Sequence, residues 1–366
     1  MATATTATAS GSPTPTSSRG GQSALLTRIR DAVSPGGLAQ LACAALMLCA
    51  AAVSWAATGA PAQPVDHAGA YPARPIRLVV PFPPGAGTDT VARLVGQKLG
   101  EALKASVVID NRTGAGGAIG AVEVAKSDPD GYTLLFVASP FTTVAASSRT
   151  AGYEPRQFVP VAPIAVGPLA FVVAADLPVY SMRELVAWSK KNPGTLNYGS
   201  AGPGSINHLA LELLRNRTGA DLTHVPYKGI APATVDLLSG RIQAMTASIP
   251  ATLPYLPQQR LRVLAVTGPR RSALLPDVPT WREAGVADAD VINYWGIVAP
   301  LGTSPEIVSR LNVAVRHVLA QPELRDRLEK EGVELIPDGP ARLGQLIDSD
   351  FERWRKLVVE AKLMLD

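Results

Sequence analysis

Hydrophobic positions along this chain switch between two spacings. Ile76–Val80 (IRLVV) is an almost unbroken apolar run, as in a strand buried on both faces. The next eight residues, 81–88 (PFPPGAGT), can only be a loop. Over 89–103 the apolar residues take helical spacing, with Val91, Leu94, Val95, Leu99 and Leu103 on one face. Strand, Gly/Pro loop and helix then return. Residues 106–110 read as a strand, 111–117 (NRTGAGG) as a loop into a small-residue helix ending near Lys126, and 132–138 (YTLLFVA) as a strand after the turn Asp128-Pro129-Asp130-Gly131. Further strands are expected at 171–174, 196–198, 242–246, 262–267 and 291–300, and helices at 179–191, 207–217 and 232–239. The strand edge at 196–198 opens into a second glycine-bearing loop, 199–205 (GSAGPGS). From Ser304 onward the chain is helical, with Ile307, Val308, Leu311, Val315 and Val318 as one stripe. Phe351, Trp354 and Val358 form another on the final helix, which is expected to pack onto the first domain. Short β-branched runs alternating with amphipathic helices predict an α/β protein with mostly parallel strands.

The first 62 residues follow none of this. Thr, Ala, Ser, Gly and Pro dominate at first, then Arg28 and Arg30 precede an uncharged apolar run over 38–57. A basic flank, an apolar run and a small-residue end are the parts of a secretory signal. Cleavage sites are offered after Ala56 and after Ala62, and the run is also long enough, at about 20 residues, to anchor an uncleaved chain in a membrane. Both cysteines, Cys43 and Cys49, lie inside it without the flanking pattern of an acylation site. A mature chain without cysteine suits an oxidising compartment. Removing 1–62 takes away three arginines and one aspartate, so the exported protein is nearly neutral.

Composition then narrows the chemistry. The net charge of +4 across 366 residues, with no Lys/Arg block, gives nucleic acid nothing to bind. Two cysteines exclude a disulfide-stapled miniprotein and a thiolate metal site. The four histidines, His67, His208, His224 and His317, are scattered without zinc spacing, and no cofactor or metal is expected. Residues 114–120 (GAGGAIG) place Ile119 at the third glycine of a dinucleotide fingerprint, and no phosphate-binding P-loop exists. Ser200 misses the serine-hydrolase elbow by one position, so an enzyme is not expected.

The two Gly/Pro loops remain. A loop between a strand and a helix presents unpaired N–H groups at the positive end of a helix dipole and can hold an anion. Either loop alone reads equally as a tight connection capped by Thr88 or Asp89, or by Ser205. Two such loops in separate halves of the chain point to a two-jawed site. His224-Val225-Pro226-Tyr227-Lys228-Gly229 adds an aromatic, an ammonium and a glycine on one turn, suited to an acidic ligand or to ordinary solvation. His208, at a helix start, reads as a cap or core neighbour more readily than as a ligand contact.

PFPPGAGTDTVARLVGQKLGEAL, VVIDNRTGAGGAIGA, SDPDGYTLLF, NYGSAGPGS followed by HLA, HVPYKGIAPATVDLLSGRI and YWGIVAPLGTSPEIV together resemble the Bug-type substrate-binding family of tripartite tricarboxylate transporters. The match runs in order from about Tyr71 to Asp366. The resemblance implies a two-lobed periplasmic binding protein of type II, with mostly parallel sheets, flanking helices and crossover hinge strands. It places a lead-in at 63–73, lobe one at 74–171 plus 296–366, lobe two at 172–295, and hinge strands at 171–174 and 291–298. It also implies a small organic acid anion held by backbone N–H groups and delivered to membrane permease subunits; a sensor handing its liganded form to a receptor kinase is the alternative. Carried over, the ligand-binding residues are Phe82, Pro84, Gly85, Ala86, Gly87, Thr88, Asp89 and Ser139 in lobe one. Lobe two supplies Ser200, Gly202, Gly204, Ser205, Tyr227, Lys228 and Gly229. The stretch after Ser139 and the residues Gln243, Thr246 and Ala247 depart from the family pattern beside the expected cleft.

Overall fold

The computed structural model describes residues 71–85 and 87–364. The signal expectation and Ala86 lie outside them. The first half holds β1 (Ile76–Val80), α1 (Gly87–Leu103), β2 (Val107–Asn111), α2 (Ala118–Ala125), β3 (Thr133–Ala138) and α3 (Pro140–Ser147). A long strand, β4 (Phe158–Ala174), leads into α4 (Met182–Lys191), β5 (Asn197–Ser200), α5 (Ile206–Thr218), β6 (Thr223–Pro226) and α6 (Ile230–Leu238). Next come β7 (Ala244–Ser248), α7 (Ile249–Thr252), β8 (Leu261–Val266) and β9 (Ile292–Pro300). The chain closes with α8 (Pro305–Leu319), α9 (Pro322–Lys330), β10 (Glu334–Leu335) and α10 (Pro340–Glu360).

Strand order is β2-β1-β3-β9-β4-β7-β5-β6, with β8 and β10 also on β4. β1 pairs in parallel with β2 and β3, and β5 in parallel with β6 and β7. β4 belongs to both lobes. Its first part pairs antiparallel with β9, from Phe158 opposite Pro300 to Pro168 opposite Ile292; its last part pairs with β7 and β8. Only residues 171–174 of this strand are legible as strand in the sequence, because Pro160, Pro163 and Pro168 interrupt the rest. Register shifts fall between Pro160 and Ala162 and between Pro163 and Ala165, where irregular pairing tolerates a missing N–H.

The continuous apolar runs are explained by burial on both faces. Ile76, Leu78 and Val80 join one core with α1 and α8, whereas Val79 joins another with α2 and α3. On β4, Leu169, Phe171 and Val173 face α4 and α5, and Ala170, Val172 and Ala174 face α6 and α7. Ser181, Ser205 and Ser304 cap α4, α5 and α8 by accepting the backbone N–H of Glu184, His208 and Ile307.

The final helix packs on α3 and β4, as expected for the first domain, and also reaches beyond it. Leu343 and Ile347 pack within lobe one, and Phe351, Trp354, Leu357 and Val358 belong to a core that joins Ala146 of α3 with lobe-two residues such as Leu185 and Leu209. The reason is length: 21 residues reach roughly 30 Å, enough to run off one lobe onto the other. Polar contacts follow the same path. Asp350 accepts from Thr142 of α3 at 2.6 Å, and Arg353 donates to the backbone of Asp290, just before β9. Among the described residues, no helix is long and apolar enough to cross a membrane.

Trp354 is fully buried, with the Arg353 guanidinium 4.7 Å over its ring. Trp354→Ala is expected to cost roughly 3–5 kcal/mol of stability, read by urea denaturation. A loss below about 0.5 kcal/mol, the size of a surface substitution, would show that the helix end does not hold lobe two.

Candidate functional site

Helices α1, α3, α5 and α6 each begin where a parallel strand ends: β1, β3, β5 and β6. Both glycine-bearing loops therefore stand at carboxyl edges, one per lobe, where open α/β sheets place ligands.

The lobe-one loop is shaped from beneath by Asp89, which is 1% exposed. Its Oδ2 accepts the Gly85 N–H and Arg93 Nε, each at 2.8 Å, and its Oδ1 accepts Asn111 Nδ2 at 2.8 Å. Asn111 Nδ2 also donates to the Phe82 carbonyl at 2.9 Å. Burial would raise the Asp89 pKa, but the bonds from Arg93, Asn111 and Gly85 outweigh it and hold the carboxyl below its usual range. Gly85 has φ +79°, which a β-carbon disfavours. Phe82 and Thr88 are half-buried, Pro84, Gly85 and Gly87 exposed, and Thr88 Oγ1 accepts Trp295 Nε1 of β9 at 3.2 Å. A β-carbon at Gly87 would meet nothing within 4 Å.

The lobe-two loop is shaped by a serine and two histidines. Ser200 Oγ accepts the Gly202 N–H at 3.1 Å and lies 2.7 Å from His224 Nε2. His208 Nδ1 accepts the Gly204 N–H at 3.1 Å. The Ser205 amide donates to the Gly202 carbonyl at 3.2 Å, and its Oγ donates to the same oxygen at 2.7 Å. Burial lowers the His208 pKa, while His224 is pushed down to about 4 by burial and by His208 beside it. Ser200 is fully buried, and Glu212, the acid of this cluster, is committed to Tyr198 and Arg215.

These contacts revise the expected roles. The amides of Gly85, Gly202, Gly204 and Ser205 are engaged inside their own loops and fix loop shape. Asp89 and Ser200 lie beneath the loops as acceptors. Ser139, fully buried at the end of β3, donates to the Ile292 carbonyl at 3.3 Å and accepts the Tyr294 N–H at 3.1 Å, which ties β3 to β9. The Tyr227 hydroxyl donates to Asp236 on α6 at 2.8 Å; Lys228 is exposed, and Gly229 opens α6. Gln243 stands away from both glycine-bearing loops. It braces Asn197 and Gly240 at the amino end of β7, whereas the loops lie past the carboxyl ends of the parallel strands. Thr246 and Ala247 are buried further along, and Asn207 in the first turn of α5 donates to the Thr246 carbonyl at 2.8 Å. The pairing of His208 with His224 was not legible: they are 16 residues apart on different elements, and only the register of Tyr198 with His224 brings them together. Among the described residues, no group of three or more His, Cys, Asp or Glu is placed to hold a metal ion.

Comparison with known proteins agrees with this architecture. Residues 91–363 match the family described as tripartite tricarboxylate transporter family receptor, TctC. BugT of Bordetella pertussis is 36% identical over 307 residues, 83% of this chain and 94% of that protein. A solved structure of an R. palustris protein with adipate is 37% identical, with TM-score 0.72 over 80% of this chain and 99% of that one. MatC from Rhodopseudomonas palustris, solved with bound malate, is 32% identical, with TM-score 0.70 over 79% of this chain and 100% of that one.

Removing the Asp89 carboxylate leaves the Gly85 N–H without its acceptor and Asn111 Nδ2 with the Phe82 carbonyl alone. Asp89→Ala is expected to cost about 1–3 kcal/mol by thermal or chemical denaturation. Because the folded pKa is depressed, Asp89 stabilises the fold above the ordinary carboxylate range, and that contribution is lost as pH falls through the folded value. A variant as stable as the parent at neutral pH would contradict this account.

Proposed function

We infer, for a chain that belongs to the tripartite tricarboxylate transporter receptor family, that it captures a small carboxylate between its two lobes and delivers it to the permease subunits of such a transporter. The observation that carries this reading is the pair of glycine-bearing loops, each fixed by a buried acceptor and each opening a helix at the carboxyl edge of a lobe. The first N–H groups of a helix have no partner within it, and the helix dipole leaves partial positive charge there. On this reading Gly87 and Thr88 of α1 and Gly229, just before α6, offer amides to the anion, with Lys228 adding charge at the rim. Phe82 and Pro84 wall the lobe-one side.

The relatives solved with adipate and malate carry dicarboxylates of six and four carbons, and these acids are the natural first ligands to try. Capture requires only that the closed form make contacts with the acid that the open form does not. The family places such receptors in the periplasm, which agrees with the secretory segment expected over residues 1–62. A receptor kinase as recipient is the alternative to permease subunits, and copurification with either partner decides between them.

Gly87→Val tests the binding reading without disturbing packing, since its side chain enters open space. Calorimetry with adipate and malate is expected to show affinity reduced about tenfold or more, roughly 1.4 kcal/mol, with the melting temperature nearly unchanged. Equal affinity in parent and variant would remove the α1 terminus from the site.

A further inference from the structure

The lobe-two loop rests on a stack of three rings. Tyr198 and His224 stack with centroids 5.0 Å apart, and His224 and His208 at 4.0 Å with planes 12° apart. From this stack two ring nitrogens reach the loop: His208 Nδ1 holds the Gly204 amide, and His224 Nε2 holds Ser200 Oγ, which holds the Gly202 amide. At the far end the Tyr198 hydroxyl donates to Glu212 at 2.6 Å, and Arg215 clamps Glu212 at 2.7 and 2.8 Å. We propose that His208 and His224 are positioning residues, a neutral stacked pair that holds the lobe-two loop in its binding shape, so that uptake of a proton by His208 unfastens the loop and weakens capture of the ligand. This rests on the reading that the loop faces the anion.

The geometry requires neutrality. His208 Nδ1 is an acceptor toward Gly204, so its proton sits on Nε2; a second proton on Nδ1 would set donor against donor at 3.1 Å. Two imidazolium rings 4.0 Å apart would also repel, so the pair titrates as a unit. The charged groups facing the stack are Glu212 and Arg215 from α5. β5 supplies Tyr198, while α3 and β7, which also pack on α5, bring no titratable side chain. Asp236 on α6 is engaged by Tyr227 and Arg241. Burial outweighs the attraction of Glu212, and both rings favour the neutral form. The sign of the stability effect follows. The unfolded chain takes up these protons near pH 6.5, above the folded values, so stability falls as pH drops from about 6.5 toward about 4.

The proposal runs against simple charge attraction. A new positive charge near an anion site tightens binding, whereas an unfastened loop loosens it. Two measurements test this. In the parent protein without ligand, nitrogen-15 spectra follow the imidazoles while hydrogen exchange follows the Gly202 and Gly204 amides; protection of both amides is expected to fall as the rings protonate. In calorimetry with adipate and malate, the parent is expected to lose about twofold or more affinity beyond that lost by His208→Asn between about pH 7 and about pH 4. Asparagine offers a neutral acceptor near the Nδ1 position, so His208→Asn should bind more tightly than His208→Leu and show the flatter profile. Proton uptake by the acid itself is common to all variants and cancels in the comparison. Amides that stay protected while the rings titrate, identical profiles for parent and His208→Asn, or affinity that rises in acid would each overturn the proposal. If neither acid binds at any pH while amide protection still tracks ring protonation, the positioning role stands and the ligand reading falls.

Discussion

Two strands, β4 and β9, carry the backbone between the lobes, and their antiparallel pairing constrains everything else. β9 is hydrogen-bonded to β3 on one side and to β4 on the other, so the sheet of lobe one is closed through its middle by a strand arriving from lobe two. The parallel strands of each lobe extend the sheet from this frame, and a helix begins beyond the carboxyl ends of β1, β3, β5 and β6. Helix starts thus gather at the carboxyl edges of both lobes as a matter of topology. The last helix reinforces the frame, since its first turns belong to one lobe and its last to the other.

Within that frame the two jaws solve one problem with different chemistry. A glycine loop approaches a ligand closely but has no side chains to hold its own shape. In lobe one a buried carboxylate gathers a loop amide, an asparagine and an arginine. In lobe two a buried hydroxyl and an imidazole take the corresponding amides. The anionic acceptor of lobe one is balanced by Arg93, whereas the lobe-two acceptors carry no charge to balance when the rings are neutral. Fixed loops lose little entropy on binding.

Much of the fold was legible because apolar runs of four to nine residues bounded by Gly and Pro translate directly into doubly buried strands. β1, β3 and β9 were found within a residue or so of their ends. β4 was not, since three prolines disguise a strand whose irregular pairing makes them harmless. α3 was missed as well; its eight residues (PFTTVAAS) show too little periodicity. The stripe on the final helix was read correctly, but only part of what it packs against was, because a sequence shows which face is apolar and not all that covers it. At the site, motif and loop position were legible while the division of labour was not. Whether an amide in a glycine loop meets a ligand or a neighbouring side chain depends on Asp89, Ser200 and His208, whose orientation only the folded chain fixes.

The order of strands also has a temporal side. β9 is the ninth strand along the chain yet sits in the middle of the sheet, between β3 and β4. Until residue 300 has been synthesised, both of those strands present unpaired edges, and the contacts that would close them pair Ala138 with Trp295 on β3 and Pro168 with Ile292 on β4, each more than 120 residues apart. Such distant pairings form slowly. A nascent chain of this design stays open until nearly its whole length is available, and a chain broken short of β9 would be left with two bare edges ready to stick to others.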